Sequence, residues 1–159
     1  MDEAYQASWF EGHFKCKLKY VENQRVGTAK DYEIIAITEG SELSSDDVGQ
    51  FIEFKFDKAC GKTGNLYLEY EQTFDGNIFV PSGMTLAVCQ SKYIVFSVKF
   101  INCVHHYVFN SGVMREILTR KMRSVSTRPN VNGNRDGCRT RGYLLPTYTV
   151  TAFRQIARI

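Results

Sequence analysis

A chain of 159 residues, 43% hydrophobic and 13% aromatic, is long enough for one domain with a buried core and too apolar for general disorder. It carries no run of about eighteen apolar residues, which excludes a membrane-spanning helix. Its net charge of +3 divides into −5 over residues 1–50, zero over 51–100 and +8 over 101–159, and nine of the ten basic residues in that last third are arginines, as suits phosphate recognition.

In chain order, the spacing of Ala7, Phe10, Phe14 and Leu18 predicts a helix over residues 3–18, with Trp9 in its packing and Glu11 bordering the apolar stripe. Residues 32–38 read as a strand preceded by Asp31, which shares a face with Glu33. The Ser-, Gly- and acid-rich stretch 39–49 reads as a loop. Strands are expected at 50–57, 65–72, 77–80, 92–100 and 104–109, with Asp75-Gly76 as a hairpin signal. Residues 112–123 read as a helix, and the Arg-, Asn- and Gly-rich run 124–142 as a long basic loop.

The strand Gln50-Phe-Ile-Glu-Phe-Lys-Phe-Asp57 carries the chemistry. Alternation puts Ile52, Phe54 and Phe56 on one face and Glu53, Lys55 and Asp57 on the other. A carboxylate beside an ammonium on one strand face suits metal-assisted phosphodiester hydrolysis: the carboxylate holds a hard cation, and the lysine orients or helps deprotonate the attacking water. Alternation alone also yields an ordinary charged outer face, so the neighbouring strand decides. Asp31 is the first choice for a second ligand and Glu33 the alternative.

An acid on one strand followed by Glu53-Phe-Lys55 on the next resembles the PD-(D/E)xK nuclease superfamily, although the Pro-Asp dipeptide is absent. Lys55-Phe-Asp57, Thr63-Gly-Asn65 and the strand ending in Glu69-Tyr70 are similar to small phage-type nucleases of that group, as are Pro81-Ser-Gly-Met84, Lys92 to Phe96, Tyr107 to Phe109 and Gly142 to Pro146. With gaps, the resemblance runs from about residue 31 to 146. It implies an α/β, restriction-endonuclease-like fold, a mixed β-sheet flanked by helices. It also implies a Mg²⁺-dependent DNA endonuclease, with Mn²⁺ able to substitute. Asp31 (or Glu33) and Glu53 would hold the metal, Lys55 would act on water, and Glu11 would contribute from the N-terminal helix. Branched DNA, as for Holliday-junction resolvases, and a specific duplex site, as for homing or restriction enzymes, are both possible substrates. Both need two cuts, so a homodimer or larger oligomer is expected.

The DNA contacts are expected from Lys62, Thr63 and Asn65, in a turn offering its backbone N–H groups to a phosphate, and from Arg135, Arg139 and Arg141 in the basic loop. Gly61-Lys-Thr63 is not a phosphate-binding loop of the nucleotidase kind, because Phe56 stands where that loop needs glycine. His105 and His106, adjacent on a strand, face opposite ways and read as structural. Glu69 is a further acid within reach from the next strand. The polar N-terminus reads against a signal peptide, and five cysteines with no Cys-x-x-Cys spacing point to reduced thiols in the cytoplasm. Two rival readings are a DNA-binding module with a decayed active site and a phage accessory protein with a merely solvated strand face.

Overall fold

The structure, a computed structural model, describes residues 2–22, 24–25, 27–124, 130–133, 139–150 and 154–158. Helix α1 spans Glu3–Phe14, and the Asp2 carboxylate caps it by accepting the Tyr5 N–H at 2.9 Å. The helix stops at Lys15, which adopts a left-handed φ of 51°, and Cys16–Tyr20 form strand β1. The helix predicted to continue to Leu18 is therefore shorter. Leu18 prolongs the helical spacing of Ala7, Phe10 and Phe14, but sheet pairing claims it: β1 runs antiparallel to β2 (Tyr32–Ile37) with Leu18 opposite Ile34.

Strand β3 (Phe51–Phe56) pairs antiparallel with β2 and parallel with β6 (Tyr93–Lys99). A parallel neighbour needs a long crossover. Here the chain leaves β3 through the one-turn helix α2 (Cys60–Thr63), β4 (Asn65–Thr73), β5 (Val80–Pro81) and helix α3 (Gly83–Gln90) before returning as β6. Strand β7 (Cys103–Asn110) pairs antiparallel with β6 and leads into helix α4 (Ser111–Arg123). Strands β8 (Asn130–Gly133), β9 (Arg139–Pro146) and β10 (Arg154–Arg158) follow. The order β1-β2-β3-β6-β7 makes a mixed sheet with β10 beside β7; β5-β4-β9 make an antiparallel sheet with β8 beside β9. Among the described residues the fold is thus mixed α/β with four α-helices.

Alternation sorts the mixed sheet into two apolar faces. Ile34, Ile52, Phe54, Val95 and Val108 pack under Ala7, Phe10 and Phe14 of α1. On the opposite face, Ile94, Phe96, Val98 and Phe109 meet Met84 and Ala87 of α3, Met114 and Leu118 of α4, and Leu66, Leu68 and Leu145 of the smaller sheet. His106 stacks on Trp9 at 3.8 Å and bonds Ser97 at 2.8 Å, while His105 packs on Phe100. The two histidines serve packing on opposite sides of β7.

Three segments differ from the expected pattern. Helix α3 falls between the strands expected at 77–80 and 92–100, where no element is predicted. Of the run expected as a strand at 77–80 only Val80 enters the two-residue β5, and the long basic loop contains β8 and the start of β9. None of these segments has an apolar repeat of sufficient length to announce itself; each is ordered by the neighbour it packs on. Among the described residues no helix is long and apolar enough to cross a membrane. Cys16, Cys60, Cys89 and Cys103 are free thiols, and Cys138 lies outside the described residues.

Candidate active site

Asp31, Glu53 and Lys55 meet where β2 begins beside the middle of β3. Register explains the meeting. Tyr32 pairs with Ile52, so Asp31, one residue earlier, lies level with Glu53. Because β2 stops pairing there, the Phe54 N–H lacks a strand partner, and the Asp31 Oδ2 atom accepts it at 2.6 Å. Gln24 reaches the other Asp31 oxygen at 3.4 Å. Asp31 and Glu53 are both buried, at 5% and 4% exposure.

Glu53 Oε1 forms an ion pair with Lys55 Nζ. Its second oxygen, Oε2, is buried with no hydrogen-bond donor facing it. A buried carboxylate oxygen left this way is costly in a finished core. Burial pushes the Glu53 carboxyl up to about 7, with Lys55 pulling it down and the Asp31 charge pushing it further up. Asp31 is also raised, by burial, against the opposing Phe54 N–H. Burial opposes the Lys55 charge, but Glu53, Asp31 and Glu69 outweigh it and hold the ammonium above its ordinary value.

Other groups converge here. The Gln6 side chain, buried on α1, donates to the Lys55 carbonyl at 3.0 Å and ties the helix to β3. Glu3, one turn before Ala7 on the same helix, feels burial, then the Asp31 charge, and is raised. Sequence reasoning missed Glu3, although Glu3, Ala7, Phe10 and Phe14 share one stripe. Glu69 approaches from β4, and Ser82 Oγ donates to it at 2.7 Å. Ser82 occupies the N-cap position of α3 yet gives its hydroxyl to Glu69 instead. Gly83, at φ 48°, lets α3 start this close: a Cβ there would lie 2.5 Å from the Glu69 carbonyl oxygen.

Several expected site residues stand elsewhere. Glu11 does not join Asp31 and Glu53; its Oε1 accepts the Leu18 N–H at 2.8 Å, next to the irregularity between Lys17 and Leu18 in β1. Glu33 pairs with Phe51, two positions further from Lys55 than Asp31 is. Asp57 is a structural cap: its carboxylate accepts the N–H groups of Ala59, Cys60 and Tyr67. The Lys62-Thr63-Asn65 turn does not offer its N–H groups to a ligand. Lys62 and Thr63 donate to the Ala59 carbonyl, Gly64 to Cys60, and Asn65 to the Thr63 hydroxyl. A one-turn helix closed by a left-handed glycine uses those donors internally.

In the basic third, Arg141 stacks on Phe79 at 3.5 Å and pairs with Glu71 at 3.4 Å. Arg115 donates to the Val88 carbonyl, and Arg120 pairs with Glu116. Arg139 is exposed at the start of β9, and Arg135 lies outside the described residues.

A cleft of about 730 Å³ opens beside Lys55, between the end of β3, β4 with its turn, and the start of α3. Among the described residues no three His, Cys, Asp or Glu side chains converge as a closed metal cage. Asp31 and Glu53 are the carboxylates that could hold an ion here. Compared with protein-family models, curated proteins and solved structures, the chain matches none.

Proposed function

We propose that this protein is a metal-dependent DNA endonuclease of the restriction-endonuclease-like kind, cutting phosphodiester bonds at the Asp31–Glu53–Lys55 cluster. The observation that carries the reading is the buried Glu53 Oε2 atom with no donor, beside a second buried carboxylate and a lysine. A core acid serving only stability would have its oxygens satisfied. The mixed sheet under α1, with the acid and Glu-x-Lys on adjacent strands, agrees with the resemblance in the sequence.

The donor set suits Mg²⁺, which keeps several of its waters and is commonly held by one or two carboxylates plus substrate phosphate. The lack of a third acid in the cluster therefore fits an open site. Asp31 and Glu53 would hold the ion, and Mn²⁺ would fit the same oxygens. When bound, the cation supplies charge stabilisation and an acidified water. The chain's own residues do the rest. Asp31 is fixed by the Phe54 N–H and so presents its other oxygen at a set position. Lys55, held as an ammonium by Glu53, offsets phosphate charge and orients water rather than removing a proton. Glu3 and Glu69 flank the cluster and add negative potential on either side.

The test is incubation of supercoiled, linear and four-way-junction DNA with the protein in Mg²⁺, Mn²⁺ or a chelator. Cutting that requires the ion and is lost in Lys55→Ala supports the reading. Salt-sensitive binding without cutting would favour a DNA-binding module. No binding at all would favour an accessory protein. Paired cuts would further call for a homodimer, to be read from the mass in solution.

A further inference from the structure

We infer that the cleft beside Lys55 takes an unpaired DNA nucleotide, with its base stacked on Phe74, so that the substrate is single-stranded or locally opened DNA rather than closed duplex. This rests on the nuclease reading for the identity of the polymer, but not on cleavage for its test.

Phe74 follows directly after β4 and is 60% exposed, yet it lines the same cleft as Lys55. Its ring therefore offers an open aromatic face at the cleft rim, available for stacking. The turn that carries it is closed by its own hydrogen bonds. Asp75 Oδ1 accepts the Thr73 hydroxyl at 2.9 Å and the N–H groups of Asn77 at 2.8 Å and Ile78 at 3.0 Å, while Thr73 Oγ1 accepts the Gly76 N–H at 3.1 Å. The main chain on either side of Phe74 is thus already tied by hydrogen bonds, so binding needs little backbone ordering there.

The rest of the lining fits one nucleotide. A volume of about 730 Å³ lies in the range of small-ligand sites. Met84 and Phe96 give an apolar wall, and Gln72 carries both amide donors and an acceptor for a base edge. Arg25 and Lys58 add cations for the backbone. Asp57, which also lines the cleft, is turned to three backbone N–H groups and Glu69 accepts from Ser82, and the cations Arg25, Lys55 and Lys58 outnumber these two acids. A closed duplex keeps its base faces stacked inside the helix and offers none to Phe74. An unpaired strand exposes them, and base–aromatic stacking is tolerant of sequence.

The test compares a duplex, one of its strands alone, and the same duplex with a short unpaired bubble. Binding is read by anisotropy in a chelator, and stacking by the fluorescence of a 2-aminopurine placed in the unpaired stretch. The wild-type protein should prefer the unpaired DNAs and quench the probe. Phe74→Ala should lose roughly 5- to 150-fold affinity for them, narrowing the preference over duplex, while Phe74→Trp should retain both affinity and quenching. Because Phe74 is exposed, both variants should melt as wild type. Equal binding of unpaired DNA by Phe74→Ala, or tighter binding of the closed duplex by the wild type, would overturn the inference. Stacking without any ion-dependent cutting would leave it standing and remove the nuclease reading instead.

Discussion

The Asp31 carboxylate accepts the main-chain N–H of Phe54 at 2.6 Å, across the gap between two strands that have stopped pairing. One oxygen of Asp31 therefore belongs to the sheet, and the other accepts from the Gln24 side chain at 3.4 Å. The two duties separate by substitution. Asp31→Asn keeps an oxygen for the Phe54 N–H but loses the charge; it should melt close to wild type and lose divalent-ion binding. Asp31→Ala leaves that buried N–H unpaired and should cost about 1–3 kcal/mol as well. Urea unfolding of the two variants, with ion titration on each, checks both halves. Equal stability of the two would mean that the hydrogen bond is not a structural one.

Lys55 and Glu53 give a second prediction. Lys55→Met removes the ammonium from the cluster and should lower cutting by roughly 10²-fold or more, with binding of DNA retained. The same change removes the group that pulls the Glu53 carboxyl down from its raised value. The pH at which ion binding reaches half-maximum should therefore move upward in Lys55→Met. A cutting rate equal to wild type would place the chemistry elsewhere.

The pH dependence follows from Glu53. Its carboxyl is pushed up to about 7, against an ordinary 4.5. Between those values the unfolded chain has released this proton and the folded chain retains it. Stability without metal therefore falls as pH rises through that window, and this contribution stops changing above it. Ion binding competes with the same proton, so Mg²⁺ affinity and cutting should rise through about pH 7. Glu53→Gln has no charge to bury and should melt higher than wild type at pH 8 while failing to bind the ion. Thermal melts against pH, with and without Mg²⁺, test this; a Glu53→Gln variant that melts lower at pH 8 would contradict it.

What was legible in the sequence had local causes. Alternation from Phe51 to Phe56 gave β3 and its two faces, but not that both faces are covered, so that Glu53 is as buried as Phe54. Leu18 misled because it fits the helical stripe of α1 and the pairing of β1 at once, and only the presence of β2 decides between them. Glu3 carried a signal in its spacing from Ala7, but its nearness to Asp31 arises from the docking of α1 on the sheet. Helix α3 had Ser82 before it and Met84, Ala87 and Val88 at helical spacing, yet eight residues make too short a period to announce a helix. The parallel pairing of β3 with β6 joins residues some forty apart, and no local pattern encodes it. The arginines of the last third were legible as charge only; which of them are spent on internal partners depends on β4 and on α4's own side chains.

That division of the arginines makes the last prediction. A site built from carboxylates repels DNA, so cations elsewhere must draw the phosphates in, and binding should weaken steeply with salt as condensed counterions are released. Arg139 and Arg141 lie two residues apart on β9, but they should behave differently. Arg139 is exposed, and Arg139→Ala should weaken binding to all sequences and lower the salt slope by about one. Arg141 is already engaged by the Phe79 ring and Glu71. Its loss should reduce stability by about 1 kcal/mol through the lost stacking and leave the salt slope nearly unchanged. Measuring affinity at several salt concentrations, with a melting curve for each variant, tests the assignment. If Arg141→Ala flattens the slope as much as Arg139→Ala does, its contacts with Phe79 and Glu71 do not withhold it from DNA, and β9 acts as one continuous basic strand toward the substrate.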